Sequence, residues 1–258
     1  MTARDPWLAF ARHTPARIAL GRTGASLPTS EVLRFSLAHA KARDAVHTPF
    51  DAEAVEAEVR GLGFDTVRVS SAAPGRDAYL RRPDLGRTLS AESRERLAAL
   101  HAAPSDLAIV VADGLSSAAI HAHTAPFLEA LKPWIARQGW SLAPVAIASQ
   151  ARVALGDEVS ELLHARACLL LVGERPGLSS PDSLGLYLTF APRKGRSDAE
   201  RNCISNVRPE GLAYDLAAFK LAWHLSQALK RGLTGVDLKD ESDLLLVAGR
   251  PPVGGLLD

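Results

Sequence analysis

The residues most able to do chemistry sit in short polar segments that follow apolar runs. In Leu170-Leu-Val-Gly-Glu-Arg-Pro-Gly177 a carboxylate, Glu174, and a guanidinium, Arg175, come directly after such a run, and Pro176-Gly177 then forces a turn. Such a strand end can face a ligand, while an Arg–Glu pair bracing the loop is the competing reading. Arg201-Asn-Cys-Ile-Ser-Asn206 carries Cys203, a site candidate or inert filler. Asp113-Gly-Leu-Ser-Ser117 lacks the Gly-x-Ser-x-Gly spacing of a nucleophile elbow, so Ser116 or Ser117 reads as a helix cap. His121 and His123, two apart on a helix, face away from each other and have no acidic or cysteine cluster to complete a metal site. Gly21-Arg-Thr-Gly24 is too short for a phosphate-binding P-loop. Arg81, Arg82 and Arg87 beside Asp84 suit either a protein–protein seam or a solvated charged loop. No complete catalytic set emerges, which is the pattern of a binding partner.

The elements that must position these residues change character near residue 103. Before it the pattern is charged and mainly helical. Thr29-Ser30 caps an expected helix with Val32, Leu33, Phe35 and Leu37 on its apolar side. A second helix starts at Asp51 and stops at Gly61 and Gly63, and 65–70 alternates like a short strand. Ser90 caps a third helix, on which Leu97 and Leu100 would share a face. After it, apolar runs at 107–112, 145–148, 167–173 and 186–190 read as strands. Between and after them come a helix from Ser116, broken near Pro126 and Pro133, a short one over 156–165 and a long one over 212–230.

Apolar strands alternating with helices imply parallel sheet covered on both faces. The expected fold class is α/β: a mainly helical N-terminal lobe over 1–103, then a Rossmann-like parallel-sheet lobe over 104–240. The tail over 241–258, with Leu244 to Ala248, reads equally as a stray strand or a disordered end. In open parallel sheets ligands sit outside the carboxyl ends of the strands. That rule selects Asp113–Ser117, Gln150–Val153 and Gly173–Gly177.

Composition narrows the function classes. Thirty Lys+Arg against 29 Asp+Glu leave a net charge of +1, so no global basic field exists to hold nucleic acid. Two cysteines, Cys168 and Cys203, cannot build a disulfide framework. The apolar runs fall far short of the ~20 residues a membrane span needs, and no secretory signal follows Met1. A soluble intracellular protein is expected.

Four segments in order, Tyr79-Leu-Arg-Arg-Pro-Asp-Leu-Gly-Arg87, Asp113-Gly-Leu-Ser116, Leu171-Val-Gly-Glu-Arg-Pro-Gly177 and Cys203-Ile-Ser-Asn206, together resemble the small (light) subunit family of ethanolamine ammonia-lyase. Gly21–Gly24 and Thr14-Pro-Ala-Arg17 look like the family's N-terminal lobe, and the resemblance covers roughly residues 6 to 240. It implies an adenosylcobalamin-dependent lyase converting ethanolamine to acetaldehyde and ammonia. It further implies a large, TIM-barrel partner subunit that carries the catalytic side chains, and a higher-order hetero-oligomer. Cofactor contacts are implied at Val153, Glu174 and Cys203, with no catalytic residue and no metal ligand contributed by this chain. None of the eight histidines is followed by x-x-Gly, so the Asp-x-His-x-x-Gly mode of cobalamin binding is excluded, and the resemblance implies base-on binding. Family members often carry an N-terminal extension for packaging in a bacterial microcompartment. The folded pattern here starts within a few residues of Met1, so cytosol is expected, with packaging left to the partner. Two other readings stand beside this one. One is a stand-alone Rossmann-like nucleotide-binding or regulatory module, which lacks a Gly-x-Gly-x-x-Gly after any strand. The other is a hydrolase using Ser116 or Cys203.

Overall fold

The computed structural model describes residues 6–14 and 16–247. In chain order the elements are α1 (Thr29–His47), α2 (Ala52–Gly61), β1 (Thr66–Ser70), α3 (Arg76–Arg81) and α4 (Ala91–Ala99). Then come β2 (Ser105–Ala112), α5 (Ser117–Gln138), β3 (Val145–Ser149), α6 (Leu155–Leu162) and β4 (Ala165–Gly173). The chain continues through β5 (Leu184–Phe190), β6 (Arg201–Val207), α7 (Tyr214–Arg231) and α8 (Ser242–Val247).

The strands form one six-stranded sheet in the order β1-β3-β2-β4-β5-β6. The first four in that order run parallel, and β4-β5-β6 are joined antiparallel. The fold is therefore mixed α/β. β1 precedes residue 103 yet pairs with β3 along its length, from Thr66 opposite Val145 to Ser70 opposite Ser149.

Side chains alternate across a strand, so the unbroken apolar run of β2 serves two cores. Leu107, Ile109 and Val111 meet Val55 and Val59 of α2, Phe127 and Leu131 of α5, and Phe219 of α7. Ala108, Val110 and Ala112 meet Leu97 of α4 and Leu155 and Val159 of α6. Burying each large aliphatic side chain in these layers contributes roughly 1.5–3 kcal/mol. Local signals start the helices: Asp51 Oδ1 accepts from Ala54 N–H at 2.9 Å, and Ser90 Oγ accepts from Ser93 N–H at 3.1 Å.

Several sequence expectations are corrected. α5 runs unbroken through Pro126 and Pro133. Each proline removes one helical bond, but Ile120, Phe127, Leu128 and Leu131 are fully buried and hold the helix on its course. Leu97 is buried, whereas α4 ends at Ala99 and leaves Leu100 exposed, so the two do not share a face. α1 begins at Thr29 behind Pro28 with no side-chain cap, and Val32, Leu33, Phe35 and Leu37 all face solvent, Ala45 being its one buried residue. The sheet is not wholly parallel, because β4 turns back into β5 and 201–207 forms a sixth strand. In the tail, 242–247 is helical, while Ala248 and the residues after it lie outside the described ones.

The antiparallel half is anchored by a buried ion pair. Arg201 donates to Asp157 Oδ1 and Oδ2 at 2.6 and 2.7 Å, to Thr189 Oγ1 at 3.0 Å and to Arg196 O at 2.8 Å. Both charged side chains are at most 2% exposed, so removing one partner strands a charge. Arg201→Met should lower the unfolding free energy by about 3–5 kcal/mol. Adding Asp157→Leu should recover part of the loss. Urea midpoints of the three proteins check this, and an unchanged Arg201→Met midpoint would contradict it.

Candidate functional site

β2 and β4 end side by side, and their last residues touch through backbone. Gly114 has φ +59°, and a Cβ there would lie 2.3 Å from Gly173 O. A Cβ on Gly173 would lie 2.0 Å from Ser116 O. Only glycine permits this approach. The helix after β2, α5, covers one face of the sheet, and the helix after β3, α6, covers the other. Helices departing to opposite faces open a crevice beyond the carboxyl ends of the strands. Its volume is about 450 Å³, and its lining includes Tyr79, Leu115, Arg152, Val153, Glu174 and Tyr187.

The floor is tied together by Asp113, which is fully buried. Its Oδ1 accepts from Ala151 N–H at 2.9 Å and from Gly114 N–H at 3.1 Å, joining the loop after β3 to the loop after β2. Arg76 stands 3.5 Å from Oδ2, donates to Gly114 O at 2.7 Å, and donates to Val46 O of α1 at 2.9 and 3.0 Å. Burial pushes the Asp113 carboxyl up to about 6, against the pull of the Ala151 N–H and the Arg76 charge.

One wall is a stack. The Tyr79 ring lies 4.9 Å from the Arg76 guanidinium carbon and 4.6 Å from that of Arg152. Gly86 leaves room for it, since a Cβ there would sit 3.0 Å from the Tyr79 ring and 3.1 Å from Arg152 Cγ. Burial and the Asp113 charge raise the Tyr79 phenol to about 12, so it stays neutral. Arg152 Nε is buried without a partner, as is Gln150 Oε1 two residues earlier.

The structure brings two of the three sequence-selected binding residues into this crevice. Val153 and Glu174 both line it. The Glu174 carboxylate takes its bond from Asn206 N–H at 3.2 Å, and no ion pair with Arg175 is formed. Cys203 is exposed on β6, directly opposite Tyr187 of the lining, with its Sγ 3.2 Å from Ser205 Oγ. Burial and the neighbouring Cys203 also raise the Tyr187 phenol. Spacing does not single out Tyr79, Arg152 or Tyr187 as crevice walls. The available signal is the position of Arg152 in the loop after β3 and of Tyr79 in the Arg-rich segment.

The other candidates go elsewhere. Ser116 Oγ accepts from Ala119 N–H and donates to Pro181 O, as a helix cap with no proton-accepting side chain on it. His121 accepts from Asp51 N–H and stacks on Phe50, while His123 meets Tyr214 Oη at 2.8 Å. Arg82 is spent in a fork on Asp84 at 2.7 and 2.9 Å, and Arg81 reaches Asp77.

The family model for ethanolamine ammonia-lyase light chain (EutC) matches residues 4–239. The ethanolamine ammonia-lyase small subunit of Xanthomonas campestris pv. campestris is 57% identical over 243 residues, which is 93% of this chain and 89% of that protein. The protein of the same name from Azotobacter vinelandii is 56% identical over 248 residues, 95% of this chain and 92% of its own. That of Pseudomonas aeruginosa is 54% identical over 257 residues, covering 98% and 94%.

The raised Asp113 carboxyl has a stability consequence. Its folded value, about 6, lies above the ordinary 3.8, so the folded chain binds the proton more tightly between those values. The stability this confers is full below pH 3.8 and is lost as pH rises through 6. Relative to Asp113→Asn, the wild type should lose up to about 3 kcal/mol over that interval and stay level above it. Melting temperatures of both proteins across pH 4 to 8 check the sign, each kcal/mol moving the midpoint by roughly 2–4 °C. A difference that does not change with pH would refute it.

Proposed function

The chain belongs to the ethanolamine ammonia-lyase light-chain family, and on that premise we propose that it is the small subunit of an adenosylcobalamin-dependent ethanolamine ammonia-lyase, holding the cofactor against a large catalytic subunit. The observation that carries the reading is the convergence of Val153 and Glu174, from loops after two different strands, on one crevice at the sheet's carboxyl ends.

The donor set suits the group. A corrin is rimmed with amides, which need both acceptors and donors, and its ring edges are apolar. Glu174 supplies an acceptor, the unpartnered Arg152 Nε a donor, and Val153, Leu115 and the Tyr79 and Tyr187 rings apolar contact. Cys203 adds a polarizable edge beside Tyr187. Among the described residues no histidine lines the crevice, and base-on binding belongs to the proposal through the family resemblance. When bound, the cofactor supplies radical chemistry from its cobalt–carbon bond, and the protein's share is orientation and shielding. The crevice is far smaller than a corrin with its nucleotide, so it takes one edge and leaves the remainder to the partner. Glu174 and Arg152 would hold that edge and the apolar walls would keep water from it.

A partner also answers the N-terminal surface. Val32, Leu33, Phe35 and Leu37 of α1 are each 47–64% exposed, apolar surface of the sort that a subunit interface covers. Among the described residues no helix is long and apolar enough to cross a membrane. Placement in the cytosol or a microcompartment belongs to the same proposal and rests on the family resemblance.

Co-expression with an ethanolamine ammonia-lyase large subunit tests the reading. Acetaldehyde should be released from ethanolamine only by the pair with adenosylcobalamin, and by neither subunit alone. Glu174→Ala in the pair should raise the apparent KM for the cofactor about tenfold, the loss of one charge-assisted bond. Full activity from the large subunit alone would overturn the assignment.

A further inference from the structure

Glu174 is held in place by an irregularity in the sheet. In the β5–β6 ladder Leu184 faces Val207 and Leu186 faces Ile204, so the single residue Gly185 stands opposite two, Ser205 and Asn206. This is a β-bulge, which frees one N–H from the ladder and re-aims it. The freed group belongs to Asn206, whose φ of +59° is a left-handed conformation that asparagine tolerates better than most residues. Its N–H points at Glu174 Oε2, 3.2 Å away.

The bulge is pinned on both sides. Asn206 O accepts from Leu212 N–H at 2.8 Å, and Asn206 Oδ1 accepts from Arg208 Nε at 3.0 Å. Gly211 packs so closely that a Cβ there would lie 2.3 Å from Asn206 O. Across the ladder, Gly185 leaves the space that the glutamate occupies. A Cβ on Gly185 would stand 3.0 Å from Glu174 Oε1 and 3.1 Å from its Cγ. Glu174 N–H donates to Ser183 O at 3.0 Å, so the backbone beneath the side chain is fixed as well.

We infer that the gap at Gly185 and the re-aimed N–H of Asn206 form a seat that fixes the Glu174 carboxylate at the crevice, making Gly185 and Asn206 positioning residues for the amide N–H that Glu174 receives from the cofactor. The inference rests on the reading that Glu174 contacts the cofactor. The seat itself is built from the chain's own residues and can be tested separately. One oxygen is committed to Asn206, so the carboxylate cannot rotate freely and meets a ligand amide with one lone-pair set already oriented. An alanine at 185 pushes the carboxylate off its seat. At 206, glycine keeps the left-handed N–H, and valine, β-branched, does not.

The test uses the assembled large–small complex and two readouts. The first is hydrogen exchange at the Asn206 amide without cofactor. It should quicken about tenfold in Glu174→Ala and Gly185→Ala and stay near wild type in a control, Arg137→Lys, at the exposed far end of α5. The second is equilibrium binding of adenosylcobalamin, followed by its absorbance. Gly185→Ala and Asn206→Val should weaken it roughly three- to tenfold, and Asn206→Gly should keep it within about twofold. On a Glu174→Ala background Gly185→Ala should cost nothing more. Unchanged exchange in Glu174→Ala overturns the seat, as does an undiminished penalty for Gly185→Ala when it is combined with Glu174→Ala. Quickened exchange with unaltered cofactor binding in Glu174→Ala supports the seat and removes Glu174 from the proposed cofactor contacts.

Discussion

A single buried carboxylate, Asp113, holds the functional end of the molecule in register. It accepts N–H groups from the loops after β2 and β3, and Arg76 beside it reaches on to α1 through Val46 O. The loops after two neighbouring strands and the first helix are thereby joined at one point. A charge buried this deeply is costly, and the raised carboxyl records that cost. The donors around it are what make the site tolerable, and they are also what shape the crevice floor.

From that point the division of labour in the fold follows. The parallel strands bring loops together at their carboxyl ends, as open α/β sheets do. The antiparallel strands β5 and β6 then add a second wall, bearing Tyr187 and, opposite it, Cys203. Neither wall carries a nucleophile with a base in reach, and Ser116, the nearest hydroxyl in sequence to the floor, is consumed as a cap. The site is equipped to hold and orient a ligand. On the proposed function, its chemistry falls to the ligand and to a partner.

Much of this is legible because burial leaves a mark in sequence. β2, β3 and β4 read as apolar runs because they are buried, and the rule that ligands gather after such strands leads to 150–153 and 173–177, within which the family resemblance singles out Val153 and Glu174. β6 is not legible, since Asn202, Cys203, Ser205 and Asn206 mix exposed and half-buried positions on an irregular edge strand with no clean alternation. The bulge that aims Asn206 is a pairing property, and only the strand opposite defines it. α5 departs from expectation at Pro126 and Pro133 because local propensity yields to ten buried residues packed along one helix. Tyr79 and Arg152 become a wall only through tertiary packing under Gly86, which no spacing announces.

The stack of Arg76 and Arg152 against Tyr79 bears on how the crevice responds to its surroundings. Both guanidiniums rest on the electron-rich ring, and one carboxylate, Asp113, serves the floor beneath them. The charge of Arg76 is paired inside the protein, where dissolved ions screen the contact little, whereas Arg152 has no carboxylate within ion-pair distance among the described residues. Ionic strength accordingly has small leverage over the contact that ties the crevice floor to this wall.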